Sequence, residues 1–260
     1  MTIMVAYTFF RYVDVGVDQM DLGLQNWIQF LRDPLYHHAL WKTARVASIT
    51  TIISVIVSYP PAYFIAMTRY KHRWHLMLLL ILPFWISFVI RAMSWIHVLG
   101  ARGVVNSFLI WTGLIHTPLE LLYTEAAVVM GIVHFVLPFT ILNIFVSIEA
   151  SDRSLVAVAR TLGATPIAAF LEITLPLSLP GVATGALLAF VLAAGSYVGP
   201  LILGGPNDFL FANLIYSTVM TELNWPLGAT LAVSLAVILG VLVLIYNRIF
   251  GLERLTRGLA

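Results

Sequence analysis

Five apolar stretches constrain this chain more than any other feature: roughly Ala44–Met67, Leu76–Leu99, Ala126–Ile148, Leu177–Pro200 and Leu227–Phe250. Each exceeds the roughly 20 residues that a helix needs to cross the hydrocarbon of a bilayer. The charge content agrees. Only 10% of the 260 residues are charged, where a soluble domain carries about 25%, so most of the surface must meet lipid instead of water. Pro60, Pro61, Pro83, Pro138 and Pro180 fall inside the stretches. Neighbouring helices can re-satisfy the backbone groups that proline frees, so these residues kink spans without forbidding them. The expected fold is all-α and polytopic, with five full spans. Met1–Phe10 is apolar but about half the length of a span. It reads either as an N-terminal stub of a sixth span or as a short segment resting on the outer face.

Basic residues orient the spans. Arg69, Lys71 and Arg73 follow the first span, Arg153 and Arg160 follow the third, and Arg248, Arg254 and Arg257 follow the fifth. The positive-inside rule therefore puts the loops at about 68–75 and 149–176, and the C-terminus, in the cytoplasm. Residues 11–43 then lie outside, although Arg11, Arg32 and Lys42 blur the rule there. The division is residues 1–43 as stub and outer segment, and 44–260 as the transmembrane domain. Two shorter apolar segments on the outer side, Val104–Ile115 and Phe209–Leu223, are bounded by helix breakers and read as interfacial helices.

The polar segment 149–176 carries most of the information. Ser151 or Asp152 can cap a helix, and Leu155, Val158, Ala159 and Leu162 then form one apolar stripe. Gly163 suits a left-handed residue that ends a helix. Thr165 and Pro166 read as an N-cap followed by proline at the first helical position. The second helix runs through Phe170 to about Glu172, and Ile173-Thr174-Leu175-Pro176 leads back into the membrane. The product is helix, sharp turn and helix, with an apolar face offered to a cytoplasmic partner.

The spacing in this segment resembles the cytoplasmic motif of ABC-importer permease subunits: Glu-Ala-Ala, three residues, Gly, nine residues, Ile-x-Leu-Pro. Here Ala157-Val158-Ala159 is followed by Arg160-Thr161-Leu162, Gly163, nine residues from Ala164 to Glu172, and Ile173-Thr174-Leu175-Pro176. Arg160, Leu162, Gly163, Ala164 and Phe170 also resemble common choices at their positions. The departure is Ala157, where the family has glutamate; Glu149, Asp152 and Glu172 are the acids able to compensate. Within the family, the chain is most similar to the first permease subunit of spermidine/putrescine importers. That similarity is carried by Asp33-Pro34-Leu35-Tyr36, Tyr59-Pro60-Pro61-Ala62, Leu82-Pro83-Phe84-Trp85, Ile90-Arg91, Leu137-Pro138-Phe139 and Asn224-Trp225-Pro226-Leu227-Gly228-Ala229. In such a permease a span precedes the counterpart of residue 11.

The resemblance implies the following expectations. The fold is a type I ABC-importer transmembrane domain, multi-pass in the bacterial inner membrane. Segment 149–176 is the coupling loop to an ATPase. The partners are a second homologous permease forming a heterodimer, an ATPase dimer that binds the ATP and Mg, a periplasmic solute-binding protein and membrane lipid. The chain itself holds no cofactor or metal, has no catalytic residue and binds no nucleic acid. The solute is a polyamine or a related small amine.

Other residues admit two readings each. Arg91 lies well inside the second span, where a charge costs roughly 2.5–3.5 kcal/mol on insertion scales. It is either a residue near the translocation path or a gate, or a structural arginine bonded to helix carbonyls or to a partner subunit. His134 is a helix–helix hydrogen-bond partner or a proton relay. Trp85, Trp95 and Tyr197 are candidates to line a path, since aromatic faces hold ammonium groups, or to anchor span ends. Eight acids (Asp14, Asp18, Asp21, Asp33, Glu120, Glu125, Asp208 and Glu222) face four bases (Arg11, Arg32, Lys42 and Arg102) on the outer side. That balance either concentrates a polycation or is what the topology rule leaves behind.

Several chemistries are excluded by composition. With no cysteine, disulfides, thiolate zinc and thiol catalysis are impossible. The sequence has no His-Glu-x-x-His, no Gly-x-Ser-x-Gly and no phosphate-binding Gly-x4-Gly-Lys-Ser/Thr. The rival in another class is a secondary transporter or channel working without an ATPase, which paired broken helices or inverted repeats would favour.

Overall fold

The computed structural model describes residues 2–14, 17–20, 22–68 and 70–250. Asp21, Arg69, Arg254 and Arg257, used above for charge and topology, lie outside the described residues. Five helical stretches are long and apolar enough to cross a membrane: Pro34–Met67, Phe88–Trp111, Glu125–Ala150, Pro166–Ala194 and Trp225–Arg248. They come from two compact units. One unit holds residues 1–47, 92–131 and 194–260, and the other holds 48–91 and 132–193.

The first unit opens with α1 (Thr2–Tyr7) and a short antiparallel hairpin, β1 (Arg11–Asp14) and β2 (Val17–Gln19). It continues through α2 (Gln25–Arg32) into the start of α3 (Pro34–Met67). Farther along the chain it holds most of α5 (Phe88–Leu99), α6 (Val104–Trp111), the start of α7 (Glu125–Ala150), α11 (Val198–Leu203), α12 (Phe211–Met220) and α13 (Trp225–Phe250). Its core packs Phe30, Tyr36, Ala39, Phe211 and Leu231. Phe30 meets Phe211 edge-on at 6.3 Å, a favoured aromatic geometry. The Thr43 hydroxyl accepts from the Phe211 N–H at 2.8 Å and donates to the Ala39 carbonyl at 2.8 Å. One buried hydroxyl therefore satisfies a helix-start amide that has no partner in its own helix. Of the two short segments expected between spans, the second is present as α12, whereas α6 forms the end of the long apolar stretch Phe88–Trp111. That stretch stops at Thr112-Gly113, where Gly113 takes φ of +73°.

The second unit holds the rest of α3, α4 (Tyr70–Ile81), the rest of α7, α8 (Arg153–Thr161), α9 (Pro166–Ala169) and α10 (Leu175–Ala194). Ala62, Ile65 and Ala66 of α3 meet Ile141, Ile144, Phe145 and Ile148 of α7. Both sets recur at three- and four-residue spacing, so each helix contributes one face.

The second span departs from expectation. Residues 76–99 do not form one helix: α4 ends at Ile81, Leu82–Trp85 winds as a 3₁₀ turn with Pro83 near its start, and α5 begins at Phe88. Pro83 has no N–H to continue the ladder, and the chain turns extended at Ile86 (ψ 134°). Pro60, Pro61, Pro138 and Pro180 remain inside continuous helices.

Candidate functional site

Segment 149–176 is built by local chemistry. The Asp152 carboxylate accepts from the Ser154 N–H at 2.8 Å and caps α8. That hydrogen bond to the ionised form holds the Asp152 carboxyl below the usual carboxylate range. The helix closes at Leu162, and Gly163 follows with φ of +95° and open space where a Cβ would stand. Thr165 then caps α9, its hydroxyl accepting from the Ala168 N–H at 3.2 Å, with Pro166 at the first helical position. Expectation and structure part after Ala169. The second helix does not end near Glu172; a π-helical turn, Phe170–Thr174, joins α9 to α10 without interruption.

The two faces of this segment differ. Inward, Phe170 is gripped edge-on by Tyr59 and Tyr63 of α3, at 5.7 and 5.4 Å. The Tyr59 hydroxyl lies 2.8 Å from the Ser178 hydroxyl, which in turn bonds the Leu175 carbonyl at 2.9 Å. At the base, Arg73 pairs with Glu149 and reaches the Ala66 carbonyl at 3.3 Å. Arg73 is only 8% exposed, so this pair is anchored instead of splayed in solvent. Outward, Leu155, Val158, Leu162 and Ile167 stand exposed, Leu162 by 83%. Ala157 lies on the exposed side of α8, and Ala159 and Ala164 are half-buried. Glu172 is exposed, while Ile173 is half-buried and Pro176 exposed. Of the three acids able to compensate for Ala157, Glu149 clamps the base and Asp152 caps α8.

The path candidates fall in different places. Arg91 is 9% exposed, and its guanidinium lies 4.6 Å from the Phe84 ring. Its Nε and Nη1 meet no acceptor among the described residues. His134 stands against the same Phe84 ring at 5.9 Å. Trp85 is 86% exposed, at the rim of an apolar groove with Trp74 and Leu142. Trp95 packs on the cluster of Leu99, Ala127 and Leu203. Tyr197 stacks on Tyr216 at 5.2 Å, and its carbonyl accepts from Asn213.

The acid excess is smaller than the residue count suggests. Glu125 pairs with Arg45, a base outside that count, whereas Lys42, already counted, pairs with Asp208 at 3.1 Å. Burial pushes the Asp18 carboxyl up. Arg45 belongs to α3 and escaped a count restricted to loops. Among the described residues, no group of His, Cys, Asp and Glu is arranged to hold a metal ion.

Known proteins place this architecture. The chain is similar in fold to a bacterial ABC transporter involved in alginate import (TM-score 0.74, 20% identity, covering 88% of this chain and 83% of that one). It is also similar to the MetNI methionine ABC transporter (TM-score 0.62, 17% identity, 82% and 93%). The spermidine/putrescine transport system permease protein PotB of Escherichia coli (strain K12) is 34% identical over 241 residues, covering 93% of this chain and 87% of that protein. PotB of Haemophilus influenzae is 36% identical over 218 residues, covering 84% and 76%. The fold is that of an ABC-importer transmembrane domain. Residues 39–252 match the family model for binding-protein-dependent transport system inner membrane components, and the chain belongs to that family. It is a multi-pass membrane permease subunit of a multi-subunit importer, in which separate ATPase subunits hydrolyse ATP.

Proposed function

We propose that this permease carries a polyamine of the spermidine/putrescine class, and that segment 149–176 is its docking element for the ATPase. The observation that carries the docking reading is the exposed ridge Leu155, Val158, Leu162 and Ile167, held on a segment whose inner face is anchored at Phe170 and Arg73. A rigid element with an uncovered apolar face is suited to enter a groove in a partner as one body. Ala157 removes the family's acidic contact there, leaving docking to apolar contact and shape. The role assigned to Arg160, Gly163, Leu175 and the rest of the motif is part of the same reading.

The polyamine reading is supported by the identity to PotB proteins along nearly the whole chain. The assembly that follows has a second homologous permease, an ATPase pair binding ATP and Mg, and a periplasmic binding protein that presents the solute. The C-terminus and segment 149–176 face the cytoplasm. ATP-driven closure of the ATPase pair moves the docked segments, and the permease pair answers by switching between two packings. The experiment is uptake of labelled putrescine and spermidine by native cells with and without the gene. Loss of saturable uptake on deletion is the expected result. Unchanged uptake of both compounds would reject the polyamine reading.

A further inference from the structure

Between Val46 and Met67, α3 carries no charged residue, and its two faces differ in kind. The outer face is aliphatic: Ile52, Ile56 and Val57 stand exposed, as suits lipid. The inner face carries Thr50, Ser54 and Ser58, each 0% exposed. They recur every four residues and so form one line, about 12 Å long at 1.5 Å per residue. Apolar side chains are turned out and hydroxyls in, the reverse of a helix on a water-soluble surface.

A hydroxyl buried in a span ordinarily bonds the carbonyl four residues back or crosses to a neighbouring helix. Other buried hydroxyls of this chain do so. Thr43 donates to the Ala39 carbonyl at 2.8 Å, Thr140 to that of Val136 at 3.2 Å and Ser234 to that of Thr230 at 2.8 Å. The hydroxyl of Tyr59, next in sequence to Ser58, meets that of Ser178 at 2.8 Å. The oxygens of Thr50, Ser54 and Ser58 have no hydrogen-bond partner among the described residues, and they are enclosed too tightly for water to reach them. A buried hydroxyl without a partner is costly, and here three stand in one line on one helix. A permease that alternates between two packings has a second arrangement in which such a line can meet water.

We propose that Thr50, Ser54 and Ser58 form a wall of the solute passage, closed and dry in this packing and wetted in the other. The wall is neutral, and each hydroxyl both donates and accepts. It therefore suits a hydrated polar solute without selecting one sign of charge. The proposal rests on the two-packing reading above and not on a polyamine as the solute.

The absence of cysteine makes the test direct. Thr50→Cys, Ser54→Cys and Ser58→Cys are placed singly in the complete importer, reconstituted in proteoliposomes. Their reaction with a small water-soluble thiol reagent, read on this chain by mass spectrometry, is timed without nucleotide and during ATP turnover. Thr140→Cys, fully buried and bonded within its own helix, is the closed control. Thr117→Cys, exposed in the segment after α6, is the open one. The wall thiols are expected to change rate about tenfold or more between the two conditions, following the population of the wetted packing, while both controls hold steady. Rates that stay equal at all three wall positions would overturn the proposal, as would the same change at Thr140→Cys. The triple variant Thr50→Val, Ser54→Ala, Ser58→Ala removes the hydroxyls without adding bulk. It is expected to insert normally and to lose uptake per ATP hydrolysed; unchanged uptake also contradicts the wall. The unsubstituted importer separates the two readings. Uptake that does not depend on ATP rejects the two-packing reading, whereas ATP-dependent uptake with wall thiols that never change rejects the wall alone.

Discussion

Gly163 offers the sharpest perturbation of the docking segment, because its surroundings separate backbone from side-chain effects. Its φ is +95°, and nothing lies within 4 Å of a Cβ built there. A substitution therefore meets no clash inside the chain, and its cost is conformational. For valine, a β-branched residue forced to positive φ, that cost is about 1–3 kcal/mol. Asparagine tolerates this region and costs less. A loss of about 2 kcal/mol lowers the population of the native turn about 30-fold relative to its alternatives, and apparent affinity for a partner falls by the competent fraction. The assay is co-purification of the ATPase with the membrane-inserted permease, at limiting ATPase concentration, together with solute uptake. Gly163→Val should lose about tenfold or more in both while inserting normally, and Gly163→Asn should retain most of them. Wild-type behaviour in Gly163→Val would refute the requirement for this turn. Equal loss in both variants would show that bulk against the partner, not backbone conformation, controls the position.

Further expectations follow from particular contacts. Asp152→Ala removes the cap of α8 and should weaken ATPase docking. Because the folded-state pKa of Asp152 lies below its ordinary value, the cap contributes above the ordinary carboxylate range and is lost as pH falls through the lowered pKa. Docking of the parent should weaken on acidification, and docking of Asp152→Ala should not share that part of the dependence. Gly181→Ala forces a Cβ onto Ser147 and the Asn143 backbone, costing about 1–3 kcal/mol by overpacking, and should lower thermal stability in detergent. Arg73→Met removes the ion pair with Glu149 at the base of the segment; it should let ATP hydrolysis proceed with reduced uptake, measured side by side in proteoliposomes.

The legible parts of this molecule are those written in local chemistry. Asp152, Gly163, Thr165 and Pro166 announce the helix–turn–helix because each acts on backbone groups within three residues of itself. Spans are equally legible, since their length and apolarity suffice. What escapes is decided by distant neighbours. Pro83 breaks its span while Pro138 and Pro180, with the same local signal, do not. Nothing adjacent in sequence distinguishes them. The π turn at Phe170–Thr174 begins at the residue whose ring packs against Tyr59 and Tyr63, residues more than 100 positions away. Arg73 and Glu149 are 76 residues apart, and the sequence alone shows only that an acid is available. Arg91 is readable as an intramembrane charge, but its aromatic cradle of Phe84 depends on the break that Pro83 makes.

The claim that segment 149–176 docks an ATPase is tested most directly by a thiol at Leu162, the most exposed position of the ridge. In the cysteine-free chain, Leu162→Cys would be treated with a short bifunctional crosslinker in native membranes containing the assembled importer. The expected product joins this permease to the ATP-binding subunit, with a yield that changes when nucleotide is added. A Leu162 thiol that never crosslinks to that subunit, while uptake persists, would contradict the assignment.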